Sequence, residues 1–187
     1  MKQTTLFGET ENLNKVAEEV KNCTKCRLHK SRSNAVPGEG DHNADIVLIG
    51  EGPGKNEDEK GRPFVGRAGE LLTELLESVD LSRDEVFITN VVKCRPPDNR
   101  DPKADEKKSC RPYLERQLKL ISPKVIGTLG NHATKSLVGE TGITSIHGEE
   151  FEYKEITVIP LYHPAAGLYN PNLVEDMKED IKKLKDY

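Results

Sequence analysis

Hydrophobic positions along this chain switch between two periods. Short apolar runs with the look of buried strands occur at Asp45–Gly50, Val86–Asn90 and Lys124–Leu129. A fourth, Ile156–Pro160, follows Phe151–Tyr153 as the second arm of a short hairpin. Between the runs, apolar residues recur three and four positions apart, the stripe of an amphipathic helix. These stripes predict helices at Asn12–Lys21, Gly69–Val79, Ala104–Ile121, Asn131–Val138 and Leu173–Leu184. Pro112 is expected to kink or split the third of them. Alternation of strand and helix predicts an α/β fold, a mostly parallel sheet with helices on both faces. The 187 residues suit one domain spanning 1–187, with residues 1–10 expected to fray.

In such folds ligands bind beyond the carboxyl ends of the strands. Three loops qualify: Gly50–Gly66, Asn90–Pro102 and Tyr162–Pro171. The unusual residues crowd there. The first loop is rich in glycine, which lets a ligand approach the backbone closely. It is not a Walker phosphate loop: three residues, not four, separate Gly50 from Gly54, and Asn56 stands where a hydroxyl is required. Phe64, between Pro63 and Gly66, is a candidate stacking platform for a flat ring; the plain alternative is a core plug. Asn90 closes a strand and offers both a donor and an acceptor, which suits a ring edge such as a pyrimidine's; the alternative is a turn or cap. Asn99-Arg100 likewise has a plain reading as a turn or cap. His163, before Pro164, could donate a hydrogen bond to a developing anion or serve structure alone.

No stretch approaches the ~18 apolar residues of a membrane span, and the first residues lack a secretory pattern. The expectation is a soluble, cytoplasmic protein with no membrane partner. The formal charge of −4 argues against a nucleic-acid partner, but local charge matters more. Lys93–Arg111 holds seven basic residues against four acids, a net +3 stretch within an acidic chain. It reads either as a phosphate-contacting face or as an ordinary solvated one.

The four cysteines are Cys23, Cys26, Cys94 and Cys110. In a reducing compartment disulfides are disfavoured and metal ligation is favoured. Zinc and an iron–sulfur cluster both accept four thiolates. Zinc sites commonly use two Cys-x-x-Cys knuckles. One knuckle with two separated cysteines leans toward a cluster. Either would tie the N-terminal arm to the basic loop.

Taken together, Gly50-Glu-Gly-Pro-Gly54, Gly61-Arg-Pro-Phe-Val-Gly66, Thr89-Asn-Val-Val-Lys-Cys-Arg-Pro-Pro97, Asn99-Arg100, His163-Pro-Ala165 and the four cysteines resemble the family 4 uracil-DNA glycosylases, the iron–sulfur branch of that superfamily. The resemblance runs from about Cys23 to the end of the chain. It implies a three-layer α/β/α sandwich with a central, mostly parallel four-stranded sheet. It implies a [4Fe–4S] cluster on Cys23, Cys26, Cys94 and Cys110. It also implies hydrolysis of the N-glycosidic bond of uracil in single- and double-stranded DNA, leaving an abasic site, by a monomer. In that reading Phe64 stacks on uracil, Asn90 reads its O4 and N3–H edge, and Gly50, Glu51 and Gly52 line the pocket. His163 stabilises the uracilate anion through O2, and Asn99 positions the attacking water. The best-known uracil glycosylases carry Gln-Asp where this chain has Glu51-Gly52, so leaving-group stabilisation must carry more of the catalysis. Glu57 and Asp58 are nearby carboxylates that could assist. Relatives often continue after His163-Pro-Ala with a Leu and an Arg; here Leu168 or Tyr169 is the candidate wedge into the base stack. The competing reading is a non-catalytic, metal-stapled nucleic-acid-binding module. Gln3–Phe7 loosely resembles a sliding-clamp-binding peptide, with nothing else in the chain to support that partner.

Overall fold

The computed structural model describes residues 10–187. The expectations for the first nine residues, including the clamp-like Gln3–Phe7, lie outside the described residues. The elements in chain order are α1 (Leu13–Lys21), β1 (Glu39–Gly40), β2 (Ile46–Gly50), α2 (Lys55–Lys60), α3 (Arg67–Glu77), β3 (Phe87–Asn90) and α4 (Ala104–Ile121). There follow β4 (Val125–Leu129), α5 (Asn131–Val138), α6 (Ile143–Ile146), β5 (Phe151–Tyr153), β6 (Ile156–Leu161), α7 (Pro164–Tyr169) and α8 (Val174–Lys185).

The sheet has the order β1-β3-β2-β4-β6-β5. Its four central strands are parallel, and antiparallel β1 and β5 close the two edges. The expected four-stranded sheet is therefore the core of a six-stranded one. The two-residue β1 is too short to leave an apolar pattern, and β5 is the arm already expected of the hairpin. The central strands are apolar throughout because both faces are covered. Ile46, Leu48 and Ile88 pack with Leu72, Leu76, Ile181 and Leu184 of α3 and α8. Val47, Ile49 and Ile126 pack on the other side with Leu114, Leu118 and Leu137 of α4 and α5. A third cluster joins Val16, Val20 and Leu28 of the N-terminal arm to Cys94 and Tyr113.

Three expectations change. Pro112 does not split α4, which is one helix across it; burial of Tyr113, Leu114, Leu118 and Ile121 outweighs the roughly 3 kcal/mol that an interior proline costs. The first loop contains α2, whose Lys-Asn-Glu-Asp-Glu-Lys has no apolar stripe and which ends on left-handed Gly61 at φ +68°. The third loop contains α7, started by His163 as N-cap and Pro164 in the first turn.

Candidate functional site

β2 and β3 end side by side, with Gly50 paired in register to Asn90. The loops leaving these two ends and the end of β6 close around one cavity of about 640 Å³. Glu51, Gly52, Phe64, Asn90, Asn99 and His163 all line it. Gly50 packs directly against two of them: a Cβ there would stand 2.5 Å from Asn90 Oδ1 and 2.7 Å from the Phe64 ring. The residues expected to bind the base or act in catalysis thus gather at one place.

Each is held by a specific local cause. Phe64 is 7% exposed and adopts a left-handed backbone, φ +48°. Its ring centroid lies 5.8 Å from that of His163, tilted by 37°. Asn90 is buried, and its Oδ1 is without any hydrogen-bond partner. Such an orphan buried acceptor is costly unless a ligand satisfies it. His163 Nδ1 accepts the Ala165 backbone N–H at 3.1 Å. That contact assigns the ring proton to Nε2 and makes it a donor. Burial pushes the His163 pKa below its ordinary 6.5, partly opposed by Glu57, so the neutral imidazole prevails at pH 7. Asn99, also left-handed at φ +54°, accepts Arg95 Nε through Oδ1 at 2.7 Å. Its loop is pinned by Arg100, which donates to Glu106 at 2.9 and 2.7 Å. Glu106 also caps α4 through the Lys103 N–H, and the Arg100 guanidinium lowers its carboxyl to about 2.

Glu51 stands at the cavity lip with His132 Nδ1 at 3.3 Å, and His132 Nε2 is 3.6 Å from Asp101. Burial raises the Glu51 carboxyl above its usual range; His132 opposes this and Asp101 adds to it. Glu57 lines the cavity too, but its Oε1 accepts the Val65 and Gly66 N–H groups, so it serves the loop. Asp58 is no part of the site: it is buried and accepts the Ser33 and Asn34 N–H groups.

Lys93 departs furthest from its sequence reading. It is not part of a basic face but 1% exposed. Its Nζ donates to Thr89 Oγ1 at 2.5 Å, Gln117 Oε1 at 2.6 Å and the Asn90 carbonyl at 2.8 Å. All three ammonium donors are thereby used behind the Asn90 strand end. Burial lowers its pKa to about 7, with Cys110 opposing. Nothing in the local sequence marks a lysine as internal. Two other cations of that stretch are also engaged, Arg100 with Glu106 and Arg111 with the Ser136 carbonyl at 2.7 Å.

The four cysteines are free thiols around a second, small cavity shared with Arg32, Lys93 and Tyr113. Arg32 Nη1 donates to Cys94 Sγ at 3.0 Å, and the Lys93 and Lys25 N–H groups approach Cys110 and Cys23 Sγ at 3.3 and 3.5 Å. Burial pushes the Cys110 thiol up to about 11. A donor at each of these three sulfurs suits thiolates bound to metal, whose binding removes the proton. Among the described residues, the one set of three or more metal-type donors within 4.8 Å of each other is Glu51, Asp101 and His132. No three cysteine sulfurs are that close.

The fold and cavity define an α/β protein with a cavity at its strand ends, and residues 37–185 match the model of the Uracil DNA glycosylase superfamily. The chain is 53% identical over 186 residues to a type-4 uracil-DNA glycosylase of Sulfurisphaera tokodaii, covering 94% of this chain and 84% of that protein. It is 50% identical to the type-4 uracil-DNA glycosylase of Saccharolobus solfataricus, covering 94% and 86%. A solution structure of a candidate uracil DNA glycosylase from Methanosarcina acetivorans shares the fold, at TM-score 0.50 and 14% identity, covering 82% of this chain and 98% of that one. Within the superfamily, the chain belongs to the type-4 uracil-DNA glycosylases. Among the described residues, no helix is long and apolar enough to cross a membrane.

Proposed function

We propose that the protein hydrolyses the N-glycosidic bond of uracil in single- and double-stranded DNA, as a single chain, leaving an abasic site for base-excision repair. The observation that carries this reading is the buried, unsatisfied Oδ1 of Asn90, a residue that lines one cavity with Phe64 and His163. An everted uracil complements that acceptor chemically. Its N3–H supplies the proton that Oδ1 lacks, and the Asn90 NH₂ donates to O4. Cytosine presents an acceptor at N3 and a donor at C4, so the same carboxamide rejects it. Eversion costs a few kcal/mol, offset in part by stacking on Phe64. As the bond to the sugar breaks, negative charge gathers on the base, and His163 Nε2–H donates to O2. A neutral donor is well suited here, because it stabilises the uracilate without needing to be protonated first. Gly50, Glu51 and Gly52 line the base, and Asn99 orients the water that attacks the sugar carbon.

Cys23, Cys26, Cys94 and Cys110 would hold a [4Fe–4S] cluster. One tetrahedral zinc, with Zn–S near 2.3 Å, needs thiolates about 3.8 Å apart, closer than any three of these sulfurs come. A cluster held there would tie the N-terminal arm to α4. The competing non-catalytic reading is less well supported, because Lys93 is internal and Arg100 and Arg111 are engaged, which leaves fewer cations of that stretch for phosphates.

The test is release of free uracil from an oligonucleotide with one uracil, without added metal or nucleotide. Uracil released from single and double strands, with cytosine and thymine left in place, is the expected result. No release from either, by protein that retains its iron and visible absorbance, would refute the proposal.

A further inference from the structure

Phe64 poses a physical problem that the cavity itself does not solve. An L side chain at φ +48° is strained, because Cβ crowds the following carbonyl. Relaxation of the backbone to a right-handed or extended conformation would swing the ring away from Asn90 and His163. The turn into α3 is also tight: a Cβ on Gly69 would overlap the Phe64 carbonyl. Something must hold the two peptide planes on either side of the Phe64 Cα.

Arg83 lies outside the cavity lining, between α3 and β3, with its side chain 17% exposed. Its Nη1 donates to the Phe64 carbonyl at 2.9 Å, and its Nη2 to the Pro63 carbonyl at 2.8 Å. The Pro63 oxygen belongs to the peptide plane before Phe64, and the Phe64 oxygen to the plane after it. Fixing both oxygens fixes φ and ψ of Phe64. The guanidinium is itself anchored: Nη2 also donates to Glu39 Oε1 at 2.9 Å. Glu39 sits on edge strand β1 and is held by Arg62 at 2.7 and 2.9 Å. The planar fork of arginine suits two acceptors at once, which a lysine ammonium on a flexible stem does not reproduce.

From this geometry we infer that Arg83 is a positioning residue for base recognition, clamping Phe64 so that its ring faces the everted uracil. The inference rests on Phe64 being the stacking platform. Arg83 acts through Phe64 alone and touches neither base nor DNA. Sequence places it 19 residues from Phe64, with no motif to mark it.

The test is a double-mutant cycle on the inhibition constant of free uracil, with Arg83→Met, Phe64→Ala and the double variant, and with Arg83→Lys alongside. Arg83→Met is expected to weaken uracil about tenfold, with affinity for uracil-free DNA unchanged. Arg83→Lys, which keeps the charge beside Glu39 but reaches one carbonyl, gives an intermediate loss and serves the same test should Arg83→Met fail to fold. In the Phe64→Ala background, Arg83→Met costs nothing further. Wild-type uracil affinity in both Arg83 variants would overturn the inference, as would losses that multiply in the double variant. If Phe64→Ala leaves uracil binding intact, the stacking role fails first, and the cycle reports that separately.

Discussion

The base cavity and the cysteine arm are joined by one short segment, Asn90 to Cys94, yet they are held in opposite ways. The cavity is built by the sheet. Register between Gly50 and Asn90, the His163 cap on α7 and the capped loop around Asn99 place every group before any ligand arrives. The one unsatisfied buried side-chain atom among the described residues is the Oδ1 acceptor of Asn90, the residue proposed to read the base. The arm is the reverse. Its apolar cluster is small, and at its centre burial pushes the Cys94 and Cys110 thiols above their ordinary pKa. A preorganised site loses little binding energy to ordering itself, whereas a thiol site gains its folding energy from the group it binds. Lys93 spans the two, its backbone N–H on Cys110 Sγ and its ammonium on the Asn90 carbonyl.

The largest expected effect lies in the cavity. His163→Ala should lower the single-turnover rate by about 10²–10³ while affinity for uracil-containing DNA stays near wild type. An equal loss in both would make His163 a binding residue. The arm gives the next effect. Removing iron with a chelator, or Cys110→Ala, should expose the amides of α1 and of Arg27–Lys30 to hydrogen exchange. Those of β2 and β3 should stay protected. Simultaneous melting of both regions would erase the contrast. Asn90→Ala should weaken free uracil by about 10- to 100-fold, the worth of two neutral hydrogen bonds.

Two smaller effects follow from charge. Glu106→Gln should cost about 1–3 kcal/mol, the penalty for leaving charged donors poorly matched. The Glu106 pKa is depressed from 4.5 to about 2. Its contribution is therefore complete above about pH 4.5 and fades as pH falls toward about 2. The gap in Tm between wild type and variant should close over that window. For His163 the folded pKa lies below 6.5, so the active neutral form persists below that pH. The acid limb of kcat/KM should fall at lower pH than an ordinary histidine gives, and His163→Asn should remove it.

The sheet was legible because buried parallel strands write themselves as continuous apolar runs, and Ile46–Gly50 and Val125–Leu129 end within a residue of expectation. The cavity was legible because its residues sit at the ends of those runs. Helices without an apolar stripe were not. α2 is polar throughout, though Gly61 after Lys60 is a C-terminal signal; α7 is small and apolar, though Pro164 after a capping residue is an N-terminal one. The supporting residues were invisible for a different reason. Lys93, Arg83 and Glu106 gain their roles from partners brought near by folding, and burial of a charge is set by its partners and not by its neighbours in sequence.

Enclosure of one uracil by three strand-end loops is tested most directly by titrating free uracil into isotope-labelled protein. NMR would follow the Asn90 side-chain amide and the His163 Nε2 resonance. Both should shift along one saturable curve, with the amides of α1 unmoved. Saturation that leaves either Asn90 or His163 unchanged would contradict a shared cavity.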